Sequence, residues 1–312
     1  MRRFRLIPDG TTFAFMRYRL YFLWASIAVI VLSMLAVVVI GLNFGIDFRG
    51  GTLLEIRTPG PADLATMRRS LNELGLGQVQ LQNFGDEREV LIRIEKQEGE
   101  AEEQQKAIER VKQRLVEEFG EGIEFRRAEF VGPKVSEELL RNGIMAVLLA
   151  VGLVLVYIWF RFEWQFGAGA VFALVHDVAT TIGVFAIVGL EFNLSTVAAI
   201  LTIVGYSLND TVVVYDRIRE NLRRFKTVKL EEVIDRSLNE TLSRTLMTSL
   251  TTLLALFALF FFGGAVIRDF TFAMIWGVIV GTYSSIYIAA PVLLYFNLRA
   301  VLAKEGAATS AG

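Results

Sequence analysis

Long uncharged runs alternate with charged stretches along the chain, and the runs are long enough to cross a lipid bilayer. About 20 apolar residues span the roughly 30 Å hydrocarbon core of a membrane. Two of the runs are interrupted by an acidic residue, Asp177 in the third and Asp210 in the fourth. The pattern predicts six transmembrane helices, one within each of the windows 20–46, 142–160, 164–190, 192–215, 245–267 and 270–298.

The stretch between the first and second runs has the pattern of a water-soluble domain. Its strand and helix signals follow each other in the order βαββαβ, which is that of a ferredoxin-like split βαβ unit. No His/Asp/Glu constellation and no glycine-rich phosphate loop stands out in it, so we expect a binding or mechanical role, or an ordinary stability domain. The predicted strands are 52–57, 78–83, 90–95 and 123–130, and the predicted helices are 61–74 and 100–119.

The predicted fold is therefore a membrane α-helical bundle of six transmembrane helices, with one α+β ferredoxin-like extracytoplasmic domain inserted between helices one and two. The predicted divisions are a cytoplasmic amino-terminal segment 1–19, a first transmembrane helix 20–42, a periplasmic domain 43–138, a five-helix membrane region 139–298 with a cytoplasmic loop 215–243, and a cytoplasmic tail 299–312.

Positive charge predicts the orientation of the bundle. Five arginines precede the first run, and the connection after the fourth run holds eight Lys and Arg residues, whereas the opposite short connections hold only Arg268. Lys and Arg concentrate in cytoplasmic loops, so both termini are predicted to be cytoplasmic. The first run is longer than the apolar part of a signal peptide and lacks a cleavage site, which predicts an uncleaved anchor.

Composition narrows the chemistry. Of the 312 residues 54% are hydrophobic, none is cysteine and one is histidine, His176. We therefore expect no disulfide, thiolate nucleophile, metal centre or cofactor.

Charge is distributed unevenly along the chain. Residues 42–141 hold 15 Lys and Arg against 20 Asp and Glu, while the rest hold 17 against 13, as expected of an inserted soluble domain. No P-loop motif is present, so the expected energy source is an ion gradient, worth about 2.3 kcal/mol per charge per 100 mV.

Asp210 is the principal candidate site residue. A carboxylate in hydrocarbon costs roughly 2.5–3.5 kcal/mol, so such a residue is a functional-site hypothesis by default. Arg244 lies on the next, antiparallel helix and is the predicted partner; a change in their separation would alter the proton affinity of Asp210. With Asn209 they form a predicted proton or ion relay. Two alternatives stay open: Arg244 extends to the headgroups, or Asp210 is a structural hydrogen-bond acceptor.

Four further polar residues are candidates for accessory roles. Ser207 shares a helix face with Asp210, Thr248 lies one turn after Arg244, and His176 and Asp177 interrupt the third helix. They either relay protons or join helices through hydrogen bonds.

A glycine-rich elbow follows the first helix. Its glycines permit positive φ and close approach of backbone, and its charged residues can cap nearby backbone groups. A rigid elbow at the membrane surface is the expected role of Gly45, Asp47, Gly50 and Gly51.

Three motifs together resemble the SecD/SecF family of protein-export membrane proteins. They are NFGIDFRGGT at 43–52, VHD at 175–177 and LNDTVVVYDRIREN at 208–221. The resemblance covers essentially the whole chain. It implies membership of the resistance-nodulation-division superfamily and use of the proton-motive force, or of sodium in some members. The intramembrane aspartate and arginine of the family correspond to Asp210 and Arg244.

The resemblance also implies the partners. A homologous SecD subunit would supply six further helices around a pseudo-two-fold axis, in the bacterial inner membrane. The SecYEG channel, YajC, YidC and unfolded preprotein are the other expected partners besides lipid, and no nucleic acid is expected. Three alternative functions are an ion-driven exporter of small molecules or lipids from the same superfamily, an intramembrane aspartyl protease using Asp177 and Asp210, and a passive scaffold.

Overall fold

A computed structural model of the chain describes residues 12–298, except 78, 85, 96, 98–100, 121, 265–266 and 297. Most of the predicted segment 1–19 and all of the predicted tail 299–312 lie outside this range. Six helices in the described residues are long and apolar enough to cross a membrane, as predicted. They are Phe15–Val39, Pro133–Arg161, Trp164–Val188, Leu194–Arg224, Leu230–Phe262 and Arg268–Tyr295.

The first membrane helix leads into the external domain through a short neck. A single 3₁₀ turn, Phe15–Tyr18, precedes helix α1, Arg19–Val39. The neck consists of strand β1, Asn43–Phe44, and the one-turn helix α2, Ile46–Arg49. The domain then contains β2 Gly51–Arg57, α3 Leu64–Asn72, β3 Val79–Phe84, β4 Asp86–Ile94, α4 Ala101–Phe119 and β5 Glu124–Val131.

The external domain is a four-stranded antiparallel sheet with two helices on one face. Its strands lie in the order β3-β4-β2-β5, and the element order is the βαββαβ that the sequence predicts. Leu54 and Ile56 alternate with less buried residues along β2 and are fully buried, as expected of a strand with one face on a core. Met67 of α3 and Val111 of α4 pack in the same core.

Five membrane helices follow the external domain. Helix α5, Pro133–Arg161, begins with a proline at its first turn, where the missing N–H has no intrahelical partner to lose. Helix α6 is Trp164–Val188; strand β6, Glu191–Phe192, separates it from α7, Leu194–Arg224. Helix α8, Leu230–Phe262, begins after five intervening residues, so the predicted cytoplasmic loop 215–243 is helical on both sides of residues 225–229.

The sixth membrane helix changes its winding near its end. Helix α9, Arg268–Ser284, continues as a π-helical turn, Ser285–Ala289, before the short α10, Ala290–Val292, and a final 3₁₀ turn. Pro291 of α10 lacks an N–H and would collide with a regular helical turn before it. The winding changes six residues before this proline, where a π-turn interrupts the regular helix.

Helices α6, α7 and α9 form the centre of the bundle. Half or more of the most apolar window of each is buried, against less than a fifth for α1, α5 and α8. Small residues allow the central helices to approach closely. A Cβ added at Gly277 of α9 would lie 2.2 Å from the Ile203 side chain of α7, and one at Gly281 would lie 3.1 Å from Ser207. Gly277 and Gly281 thus form a small-residue face of α9 that packs on α7.

The contact at Gly277 gives a first testable prediction. Gly277→Ala is expected to destabilise the bundle by about 1–3 kcal/mol, because Ile203 must leave its rotamer or the helices must separate. The change should appear as a lower melting temperature of the purified protein in lipid nanodiscs. Gly152→Ala on α5 is the matched control, since a Cβ there meets nothing within 4 Å. Equal melting temperatures for both variants would contradict the prediction.

Candidate functional site

Asp210 lies in the interior of α7 with an unsatisfied carboxylate oxygen. The residue is 4% exposed, and its Oδ2 atom is buried without a hydrogen-bond partner in the described part of the chain. Leaving a buried charged oxygen unpaired is costly, whereas a proton or a matching cation removes that cost. The geometry therefore suits a group that binds and releases a cation.

Arg244 lies close enough to act electrostatically on Asp210. No ion pair or hydrogen bond joins the two side chains within the described ranges. Arg244 is exposed at the surface of the isolated bundle, directly before the uncharged window of α8. The predicted partners are therefore neighbours with a gap between them, and a small movement of α8 against α7 changes their electrostatic energy.

The surface around Arg244 is polar although it belongs to membrane-length helices. Asn209 is exposed on α7, and the Tyr206 hydroxyl donates to Thr252 Oγ1 of α8 at 3.4 Å. Thr248 bonds back to its own helix, donating to the Thr245 and Arg244 carbonyls, and so does not reach Asp210. We call this surface the outer polar face, formed by Tyr206, Asn209, Arg244, Thr248 and Thr252. Polar faces in membranes are normally covered by protein.

Asp177 occupies a different environment from Asp210. It is fully buried, and its Oδ2 accepts hydrogen bonds from Ser207 Oγ at 2.6 Å and from Ser284 Oγ at 2.8 Å. Its Oδ1 lies 3.0 Å from Nδ1 of His176. These contacts join α6, α7 and α9, so the arrangement agrees with the alternative in which Asp177 and His176 hold helices together. Both Asp177 oxygens are engaged by other groups, which disfavours a catalytic pair with Asp210.

The polar cluster extends from Asp177 to the first helix. The His176 ring lies 5.8 Å from the Tyr283 ring, and the Tyr283 hydroxyl shares a hydrogen bond with Ser26 of α1 at 2.8 Å. Sequence reasoning missed Ser284, although a signal was available. Gly277, Gly281 and Ser284 follow the spacing i, i+4, i+7, so Ser284 continues the small-residue face that packs on α7.

The elbow after α1 connects the external domain to the loop before α7. Strand β1 pairs in parallel with β6, with Asn43 opposite Glu191 and Phe44 opposite Phe192. The Gly45 N–H donates to the Phe192 carbonyl at 3.0 Å. A Cβ at position 45 would lie 2.4 Å from Glu191 Oε1 and 3.2 Å from the Asn193 Cβ, so any larger residue here would displace the Glu191 side chain.

The rest of the elbow holds the start of α7 and turns the chain into β2. Asp47 Oδ2 accepts the Leu194 N–H at 2.9 Å, which places a negative charge at the positive end of the α7 dipole. Gly50 and Gly51 have φ of 72° and 112°, a region that favours glycine. The elbow residues thus contact the first turn of the helix that carries Asp210.

A buried ion pair completes this connection. Arg93 of β4 lies 2.6 Å from Glu191, and the two side chains are 12% and 15% exposed. Arg93 also donates to Asn43 Oδ1 at 3.3 Å and to the Phe44 carbonyl at 3.4 Å. Sequence reasoning missed both residues, because each lies in an ordinary charged context and only the fold brings them together. We call the set Asn43, Phe44, Gly45, Asp47, Arg93 and Glu191 the junction.

Titration of Glu191 provides a second prediction. Burial raises the pKa of its carboxyl above the ordinary value of 4.5, Arg93 opposes the shift, and Asp269 and Asp47 add to it. The folded protein therefore keeps this proton where the unfolded chain has lost it. The stability from this group is present below pH 4.5 and is lost as the pH rises through the raised pKa.

The melting temperature of the wild type minus that of Glu191→Gln is thus expected to fall as the pH is raised from below 4.5 toward neutral. Scanning calorimetry in nanodiscs at a series of pH values would measure it. A difference that rises with pH would contradict the raised pKa.

Two family models match the chain. "Protein export membrane protein SecD/SecF, C-terminal" matches residues 111–299, and "SecD/SecF GG Motif" matches residues 35–58. The second range contains the elbow residues Gly45, Asp47, Gly50 and Gly51. The range 111–299 contains the whole of α7 and α8.

Curated proteins resemble the chain over most of their length. A protein translocase subunit SecF of Rickettsia bellii (strain OSU 85-389) is 48% identical over 294 residues, which is 94% of this chain and 96% of that protein. The protein translocase subunit SecF of Rhodobacter capsulatus is 46% identical over 308 residues, covering 95% of this chain and 92% of that protein.

Solved structures share the fold. The crystal structure of SecDF from Thermus thermophilus, described as a translocon-associated membrane protein, matches with a TM-score of 0.82 at 41% identity, over 92% of this chain and 39% of that one. A SecDF structure in a super-membrane-facing form matches with a TM-score of 0.67 at 38% identity, over 99% and 41%. The chain thus spans about two fifths of these longer chains.

Proposed function

Because the chain belongs to the SecD/SecF family of protein-export membrane proteins, we propose that it is an auxiliary subunit of a bacterial Sec preprotein translocase. In this proposal it lies in the inner membrane with both termini cytoplasmic and residues 43–138 in the periplasm. It promotes the late stage of translocation, or the release, of preproteins.

The proposed energy source is the proton-motive force. The observation that carries this proposal is the buried Asp210 oxygen without a partner, beside the outer polar face that holds Arg244. Protonation neutralises Asp210 and removes its attraction for Arg244, whereas proton release restores it. Each protonation state therefore favours a different spacing of α7 and α8, which is what gradient-driven movement requires.

A homologous SecD subunit is the proposed cover of the outer polar face. An arginine and an asparagine exposed on membrane helices are stabilised when a second polar surface meets them. SecD would supply that surface and a further six helices. SecYEG is the proposed channel, YajC and YidC are proposed further partners, and the unfolded preprotein is the substrate.

The junction is the proposed route from the proton site to the external domain. Asp47 contacts the first turn of α7, and Arg93 ties the domain to Glu191 three residues before that turn. A tilt of α7 would therefore move the neck and the sheet together. The external domain would convert this movement into force on a preprotein chain.

Reconstituted vesicles test the proposal. SecYEG and SecD would be reconstituted with and without this chain, and preprotein export would be measured with and without an imposed proton gradient. We expect the gradient to stimulate export only when the chain is present. Equal stimulation in its absence would refute the proposal, and gradient-driven efflux of small molecules without export would favour the exporter alternative.

A further inference from the structure

A basic pocket lies at the end of the bundle opposite to the external domain. Helices α5 and α7 both begin beside that domain, at Pro133 and Leu194, and their far ends meet around a concavity of about 510 Å³. Its size is within the range of roughly 300–1,000 Å³ typical of small-ligand sites. We call it the basic pocket, and it is lined by Arg161, Asp216, Arg219, Glu220, Arg223 and Arg224.

Two arginines of the basic pocket, Arg161 and Arg219, are held in place by neighbouring groups. Nη2 of Arg161 donates to both oxygens of Asp216, at 2.8 and 3.0 Å, and the guanidinium lies 5.0 Å from the Phe162 ring. Arg219 pairs with the nearly buried Glu163 at 3.0 Å. A guanidinium has five N–H donors, so a pair formed through one nitrogen leaves donors for a second acceptor.

The balance of charge in the basic pocket is positive. Four arginines line it against two acidic residues, and Glu163, which pairs with Arg219, is a third carboxylate beside it, so the excess is one positive charge. Asp216 is engaged by Arg161, and Glu220 accepts from Arg217 at 2.6 Å. Fixed, forked guanidinium groups in net excess recognise phosphate better than they recognise a neutral group.

Exposed aromatic side chains place the basic pocket at the depth of lipid headgroups. Trp159 and Trp164 flank Arg161 in sequence and are 70% and 60% exposed, and Phe160 is 85% exposed. Tryptophans concentrate at the membrane–water boundary, where the phosphates of phospholipids lie. The local concentration of phosphate at this depth is set by the lipid headgroups, so a lipid phosphate reaches the pocket more often than a soluble anion does.

We propose that the basic pocket binds the phosphate headgroup of an anionic phospholipid. Basic pockets between membrane helices on the cytoplasmic side are known to take such headgroups. The pocket uses the end of α7, the helix that also carries Asp210, so a bound lipid would hold the end of α5 to the end of α7. This inference stands on the geometry of the pocket; its test uses the proposed complex with SecD, but it does not depend on the proposed use of a proton gradient.

Native mass spectrometry of the SecD-containing complex tests the proposal. The complex would be extracted from vesicles of equal parts phosphatidylglycerol and phosphatidylcholine, and the ratio of retained lipids measured. We expect the wild type to retain phosphatidylglycerol preferentially. In Arg161→Gln/Arg224→Gln the ratio of retained phosphatidylglycerol to phosphatidylcholine should fall by roughly fivefold for each arginine removed. Lys226→Gln/Lys229→Gln removes the same charge from exposed positions outside the pocket and should leave the preference unchanged.

Other outcomes overturn the proposal. Equal losses in the two double variants would assign the preference to general surface charge. Displacement of the lipid by millimolar inorganic phosphate would assign the site to a soluble anion. If Arg161→Gln/Arg224→Gln does not assemble, Arg161→Lys/Arg224→Lys tests the geometry of the pocket instead: it keeps the charge but loses the forked donors, so a preference equal to that of the wild type would contradict recognition by the guanidinium groups. A photo-crosslinking residue in place of Glu220 that attaches to protein instead of lipid in native membranes would indicate an acidic protein partner.

Discussion

Replacing Asp210 by asparagine is expected to remove the stimulation of export by a proton gradient while leaving the protein folded. The asparagine keeps the shape of the side chain but cannot exchange a proton at neutral pH. One charge crossing 100 mV is worth about 2.3 kcal/mol, or a factor of about 50 in an equilibrium. Export in reconstituted vesicles should therefore fall to the level without a gradient, and the melting temperature should not fall, since Oδ2 of Asp210 has no hydrogen bond to lose.

Two matched variants sharpen this experiment. Glu232→Gln on α8 removes one carboxylate charge at an exposed position outside both proposed sites, and we expect it to keep gradient-stimulated export. Asp177→Ala removes the acceptor of hydrogen bonds from two serines, so we expect it to lower the melting temperature. Full stimulation in the Asp210→Asn complex would remove the proton role from this residue.

Breaking the junction is expected to separate ion movement from export. In Arg93→Ala, Glu191 keeps a buried charge without its partner, a change that costs roughly 3–5 kcal/mol for fully buried pairs. Asp210 and Arg244 are untouched. We therefore expect gradient-driven proton uptake to persist in vesicles while gradient-stimulated export falls to its basal level.

The role of charge at the junction can be separated from its role in stability. The exchanged pair Arg93→Glu/Glu191→Arg restores opposite charges, whereas Arg93→Met/Glu191→Gln removes both. If the junction transmits force through its ion pair, the exchanged pair should recover part of the export and the neutral pair should recover only melting temperature. Normal export in Arg93→Ala would mean that the external domain is coupled to the membrane by another route.

The membrane helices could be predicted from sequence because their signal is local. An uncharged run of sufficient length has few other structures available, and the αβ order of the external domain follows from alternation within short segments. Helix ends were less predictable. The second helix begins at Pro133, before the start of its predicted window at residue 142. The prediction missed its first turns because they carry Lys134 and Glu137, and a search for uncharged windows excludes charged residues.

The candidate site was predictable only in part. Asp210 and Asp177 stand out in the sequence because charged residues are rare in membrane-spanning runs. The sequence does not show that both carboxylate oxygens of Asp177 have polar partners, whereas Oδ2 of Asp210 has none in the described residues. That difference depends on Ser284, which reaches Asp177 from another helix. The pairing of Arg93 with Glu191 could not be predicted for the same reason, because an ion pair between distant segments leaves no periodic pattern in the sequence.

The hydrogen bonds around Asp177 have a consequence for the biogenesis of the protein. Helix α6 is synthesised before α7 and α9, so its carboxylate enters the membrane before Ser207 and Ser284 exist to donate to it. During that interval the helix carries an insertion cost of roughly 2.5–3.5 kcal/mol that its finished environment later offsets. We therefore expect the nascent α6 to stay in a protected site until the last helix arrives. Ser284→Ala should prolong that wait, measured as a longer crosslink of α6 to the insertion machinery.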